Sequence, residues 1–193
     1  MREPKLREVD ARGFRRRLEP VVYDVYAAAM RPPAEQLPGR YAVIARHTEY
    51  PGFRALVAER RRAVHGFGYG FHGSPGQWWH DVVRWALAEV GGPEHADTWM
   101  ADCFEVAELH VHPDHQGRGL GRALLTALCE GRTERTVVLS TLDRPGSVAR
   151  RLYRSVGMVD LLAGFRFPGG GPPYAVMGAT LPLAAAPSTP SSS

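Results

Sequence analysis

The chain has few cysteines and almost no lysine. Its two cysteines, Cys103 and Cys129, make neither a disulfide framework nor a zinc-ligand spacing, so both are expected as small buried hydrophobes. Lys5 is the sole lysine, and the other 23 of the 24 cationic side chains are arginine. No apolar run approaches the roughly 20 residues that cross a bilayer. Met1-Arg2-Glu3-Pro4-Lys5 leads into no apolar signal core, so the expectation is a cytoplasmic chain with no membrane partner. Internal repeats are absent, and no histidine follows His115. The hydrophobic share is that of an ordinary globule, and 193 residues suffice for one core. We expect a single domain over 1–181, followed by an Ala/Pro/Ser/Thr tail over 182–193 too poor in apolar residues to fold. The net charge of +4 reads first as arginine-rich codon usage and second as attraction of an anionic partner. The clusters Arg15-Arg16-Arg17, Arg60-Arg61-Arg62 and Arg150-Arg151 lack interleaved aromatics, so nucleic acid is not expected.

Periodicity orders the chain. Leu6 to Asp10 reads as a short strand, and Phe14, Leu18, Val21, Val22, Val25, Tyr26 and Ala29 fall on one face of a helix that Pro32-Pro33 ends. A second helical stretch covers 34–48, interrupted at Pro38-Gly39. Two alternating runs follow, Phe53–Glu59 and Val64–Phe71, with the arginine triplet near the turn between them. In the second run His65, Phe67, Tyr69 and Phe71 face one way and Gly66, Gly68 and Gly70 the other, a glycine face suited to close packing by a helix. Gln77–Val90 is a tryptophan-rich helix broken by Gly91-Gly92-Pro93. Strands are expected over Cys103–His112, Thr136–Leu142, Val159–Phe167 and Tyr174–Leu181, and helices over Gly119–Glu130 and Val148–Val156.

The most informative stretch is Leu109-His110-Val111-His112-Pro113-Asp114-His115-Gln116-Gly117-Arg118-Gly119-Leu120-Gly121-Arg122, where a strand meets a glycine loop that opens a helix. Such a loop aims several backbone N–H groups, and the positive end of the helix dipole, at one spot. Glycines let an anion approach the main chain with no Cβ in the way. A P-loop would need Gly-Lys-Ser/Thr where Arg122-Ala123 stand, and a dinucleotide fingerprint would need glycine at Arg122. The pattern instead resembles the pyrophosphate loop of the GNAT superfamily of N-acetyltransferases, Gln/Arg-x-x-Gly-x-Gly/Ala, with Gln116, Gly119 and Gly121 at the defined positions and Val111-His112-Pro113 before them.

That resemblance implies an α/β (α+β) chain with a mixed, mostly antiparallel sheet of six to seven strands flanked by helices. It implies acetyl-CoA as acyl donor and an amine as acceptor. Leu109, His110 and Val111 would offer backbone groups to the pantetheine arm where the sheet splays. Gln116, Gly117, Arg118, Gly119, Leu120 and Gly121 would hold the pyrophosphate, with Arg122 close by. Glu105 stands eleven residues before Gln116, the offset of the glutamate base in histone-type members, and is preferred as base. Glu108 is the alternative, and in many members a water chain serves. Strict alternation would put Glu105 with Ala107, Leu109 and Val111 on one face and Glu108 with His110 and His112 on the other; a bulge, common in this strand of the family, would change that count. Tyr153, in Ala149-x-x-x-Tyr153-x-x-x-Gly157-Met158, resembles the family tyrosine that protonates the departing sulfur. Gly146 stands where asparagine often touches the cofactor, and Met158 where phenylalanine is usual.

Two other readings compete. His110-x-His112-x-Asp114-His115 also spells the metal motif of metallo-β-lactamase-like hydrolases, but that family needs histidines further on, so no metal is expected. A domain that binds acyl-CoA as a sensor or an interaction module would keep the loop and lose turnover. Acceptor recognition has no motif: Trp78, Trp79, Trp85 and Trp99 could wall an apolar pocket, and Asp97, Asp102 and Glu105 would suit a cationic amine such as a small amine, an aminoglycoside, a protein N-terminus or a lysine. Many family members form homodimers, and nothing in the sequence decides that point.

Overall fold

The computed structural model describes residues 4–183. Seven strands form one sheet in the order β1-β2-β3-β4-β5-β7-β6. They are β1 (Lys5–Val9), β2 (Arg54–Arg60), β3 (Ala63–His72), β4 (Cys103–Val111), β5 (Thr136–Leu142), β6 (Val159–Phe165) and β7 (Tyr174–Thr180). All neighbours are antiparallel except β4 and β5. This is the mixed, mostly antiparallel sheet that the sequence implied.

Helices cover both faces. α5 (Leu120–Cys129) and α6 (Val148–Arg154) bury Leu124, Leu125, Leu128 and Tyr153 against Phe104, Val106, Val137 and Leu139. Leu183 packs on the same core, and the expected tail lies outside the described residues from 184 on. The glycine face of β3 is where α5 comes closest: a Cβ on Gly68 would stand 2.8 Å from side-chain atoms of both Leu109 and Leu128. On the opposite face, α1 (Ala11–Arg15), α3 (Leu37–His47) and the kinked α4 (Trp78–Met100) cover the sheet, while the short α2 (Ala27–Met30) buries no residue.

Three helices differ from the periodicity. The expected single helix over 14–29 is α1, a π-helical stretch over Pro20–Tyr26 and the short α2. Pro20 lacks an N–H, and its ring clashes with the carbonyl four residues back, so the chain takes a wider turn there. Phe14, Leu18, Val21, Val22, Val25 and Tyr26 are buried all the same. Pro38-Gly39 opens α3 rather than interrupting it, because proline is tolerated in a first turn. Gly91-Gly92-Pro93 kinks α4 at Gly92 (φ 84°, ψ 171°), after which a second helical arm runs on to Met100.

Two features of β4 shape the cleft. It pairs with β5 only at Cys103–Thr136, Phe104–Val137 and Glu105–Val138, so from Val106 onward its β5 side has no strand partner, while β5 continues alongside β7. Opposite β3, Tyr69 pairs with Glu108 and Gly70 with Val106, which leaves Ala107 as the extra residue of a bulge. Strict alternation across the two glutamates is therefore overturned: Glu105 opposes Phe71, Glu108 opposes Tyr69, and both side chains lie on the α1–α4 face of the sheet.

Candidate active site

The loop after β4 is an open ladder of donors. Gln116 Nε2 donates to the Val111 carbonyl at 2.9 Å and ties the loop to the strand end. Gly117 (φ 73°) and Gly119 (φ 79°) take left-handed conformations, with nothing within 4 Å of where a Cβ would project. Among the described residues the N–H groups of Gly117, Arg118, Gly119, Leu120, Gly121 and Arg122 meet no acceptor. Six donors at one helix N-terminus form a cradle for an anion such as a diphosphate. Arg118 is exposed at its rim, and Arg122 Nη2 donates to Ser155 Oγ at 2.7 Å, fastening α5 to the end of α6. Leu109 and Val111 turn their side chains to the α5 core, leaving main chain on the unpaired β4 edge.

On the other face, side chains from distant segments meet around Glu108. Arg40 Nη1 of α3 donates to Glu108 Oε1 at 2.9 Å, and His110 Nε2 lies 2.5 Å from Oε2. Burial alone would raise the Glu108 pKa, but the His110 hydrogen bond and the Arg40 charge outweigh it and hold the carboxyl below its usual value. The Arg40 guanidinium lies over the Tyr26 ring, 5.1 Å from its centroid, and His110 meets that ring edge-on at 5.2 Å. His47 Nδ1 is 2.9 Å from the Tyr69 hydroxyl, and burial lowers the His47 pKa to about 4. Tyr153 of α6 lies in the core on the α5–α6 face; burial, then the Glu108 charge, push its hydroxyl well up, so it stays protonated.

Glu105 is the opposite case. Its Oε2 is buried without a partner, and burial alone raises its pKa to about 8. The two carboxyls share a face, yet one is ionised and pinned while the other holds its proton to higher pH. Environments that separate neighbouring pKa values are the usual signature of an acid–base site.

The predicted residues thus divide into the loop, the β4 edge and the acid–base cluster, all beside the β4–β5 splay. Tyr26, Arg40, His47 and Tyr69 were missed. Periodicity marked Tyr26 and Tyr69 only as apolar-face residues, and no spacing links α3 to β4. The proposed acceptor acids disperse: Asp97 pairs with Arg84 on α4, and Asp102 with Arg135 beyond the far end of β4. Trp79 Nε1 donates to Ser140 Oγ of β5 at 3.1 Å, Trp99 packs on Gly178, and Trp78 and Trp85 are exposed. The histidines of the metal-like motif diverge: His110 turns to Glu108, His112 Nδ1 accepts from the Asp114 N–H, and His115 meets His65 in a tilted pair. Among the described residues no three His, Cys, Asp or Glu side chains are placed to hold a metal ion.

The sheet splays beside a glycine cradle, as the resemblance implies, and the family model of the acetyltransferase (GNAT) domain matches residues 51–158. The chain belongs to the GNAT acetyltransferase family. It is 45% identical over 121 residues to a GCN5-like protein acetyltransferase of Mycobacterium tuberculosis; the match covers 61% of this chain and only 59% of that protein. The Salmonella typhimurium protein YncA, solved with its cofactor acetyl-CoA, has a TM-score of 0.58 at 20% identity and covers 97% of this chain and 98% of its own. The ribosomal-protein-S18-alanine N-acetyltransferase of Escherichia coli has a TM-score of 0.61 at 16% identity, with 94% and 96% covered. No helix of the described residues is long and apolar enough to cross a membrane.

Proposed function

We propose that the chain is an acetyl-CoA-dependent N-acetyltransferase in which a bound amine attacks the thioester directly. The carrying observation is the run of six unaccepted N–H groups from Gly117 to Arg122 beside the unpaired edge of β4. This cradle suits a pyrophosphate, and the edge suits a pantetheine amide chain added like a strand. Gln116 holds the loop in register, while Arg118 at the rim adds positive charge. Acetyl-CoA bound there supplies a thioester whose carbonyl carbon takes the amine nitrogen, leaving an acetamide and free coenzyme A thiol.

The chain's residues handle the protons. An incoming ammonium is drawn to ionised Glu108, which Arg40 and His110 hold in place. Glu105, on the same face, takes the ammonium proton, directly or through a water; its pKa of about 8 matches a base working just above neutrality. Tyr153 gives its phenolic proton to the departing sulfur and is reprotonated by the second proton that the acylated nitrogen sheds.

The test is Gly119→Val. A β-branched residue resists φ 79°, and its side chain fills the open space before the N–H groups. Thermal protection by acetyl-CoA should vanish while the far-UV spectrum and cooperative melting remain. Undiminished protection refutes the cradle, and protection without thiol release on any amine favours the sensor reading.

A further inference from the structure

On the acceptor side of the cleft the Glu108 carboxylate and the Arg40 guanidinium stand side by side. Glu108 is ionised and Arg40 donates to it, whereas Glu105 and His47 are uncharged at neutral pH. The Arg40 side chain is 39% exposed; its guanidinium lies over the Tyr26 ring and Nη1 donates to Glu108, which leaves Nε and Nη2 with no carboxylate partner among the described residues. Beyond this pair the wall is aromatic. Tyr174 opens β7 opposite Leu142, at the end of β5. Tyr174 packs on Phe167 at 5.3 Å, Phe167 on Trp78 at 5.6 Å, and Trp78 is 59% exposed.

The geometry points to a free α-amino acid with an aromatic or long apolar side chain as the acetyl acceptor, its amine on Glu108, its carboxylate on Arg40 and its side chain along Tyr174, Phe167 and Trp78. This assignment rests on the acetyl-transfer reading above. A pair of opposite charges is complementary to a zwitterion. A simple amine or a polycation would set its ammonium beside the guanidinium with no carboxylate to answer it. A charged group placed to bind a carboxylate also discriminates far more strongly than an apolar wall does by size. The small cationic amines and aminoglycosides suggested by the sequence are therefore the poorer acceptors.

Thiol release from acetyl-CoA is measured on matched pairs: phenylalanine against phenethylamine, tryptophan against tryptamine, leucine against isoamylamine. Spermidine and a lysine-containing peptide complete the panel. Each amino acid should exceed its decarboxylated partner in kcat/KM by about tenfold or more. Arg40→Met should bring that ratio to about one, chiefly through KM of the amino acid, and Arg40→Lys should restore part of it because the charge is kept. Equal or better use of the decarboxylated amines, spermidine or the peptide by the unaltered protein overturns the assignment. So does an Arg40→Met protein that loses both members of each pair equally. Acetyl-CoA binding is followed separately by thermal shift. Its failure brings down the acetyl-transfer reading, whereas bound acetyl-CoA with indiscriminate acetylation, or with no amino acid acetylated, brings down the amino-acid assignment.

Discussion

Replacing Glu105 by Gln removes one titration from the interior while nearly preserving shape. The folded carboxyl holds its proton to about pH 8, against 4.5 when free. Between those values the folded chain binds more protons here than the unfolded chain, so this group makes stability fall as pH rises. At 1.36 kcal/mol per pH unit the full difference is about 5 kcal/mol, developed from pH 4.5 upward and complete above about 8. Glu105→Gln cannot ionise and lacks this slope. Any constant penalty for burying an amide shifts its curve without tilting it. Urea unfolding of both proteins at several pH values from 5 to 9 reads the difference, and the variant should gain on the parent by roughly 3–5 kcal/mol across that span. Other titrating groups are common to both proteins and cancel. Parallel stability curves would refute the reasoning, because Glu105 would then ionise as a solvated carboxyl does. The same titration governs catalysis. The kcat/KM of the parent should rise with pH and level off above about 8, and the variant should lose that inflection along with roughly 10²–10⁴-fold in kcat.

Tyr153→Phe should lower kcat by about 10²-fold with KM little changed, since the hydroxyl acts only as sulfur departs; an unaltered kcat in steady-state assays would remove Tyr153 from the reaction. Glu108→Gln should raise the acceptor KM and destabilise the fold by roughly 1–3 kcal/mol at neutral pH, because Arg40 and His110 lose a buried anion. Glu108 is held below its usual pKa, so its contribution is present at neutral pH and fades as acid titrates it; the melting curves of parent and variant should converge toward low pH. Gly70→Ala should lower stability by about 2 kcal/mol or more, since a Cβ there would stand 2.4 Å from the Glu105 carbonyl oxygen and 2.6 Å from Phe104 Cζ, and an unchanged urea midpoint would show that the bulged strand yields easily.

Much of the fold was readable because strand alternation and the apolar stripes of α5 and α6 are local patterns that burial enforces. Where proline or glycine intervened, the pattern identified the buried residues but not the backbone path. Phe14, Leu18, Val21, Val22, Val25 and Tyr26 are core residues as periodicity implies, yet Pro20 turns their helix into a π-helical stretch, and Pro38 starts a helix it was read as interrupting. The acceptor residues were unreadable for a different reason. Arg40 and Glu108 are 68 residues apart in the chain, and neither is marked by its neighbours.

The anion cradle is a matter of chain chemistry alone. Its donors are consecutive backbone N–H groups, and glycines at 117 and 119 permit the left-handed turns that aim them, so adjacent residues carry the whole message. The roles of Glu105 and Glu108 come from long-range pairing. The bulge at Ala107 exists only because β4 pairs with Tyr69 and Gly70 of β3, and it turns both carboxyls to one face. Only there does burial leave one of them protonated while Arg40 and His110 keep the other charged.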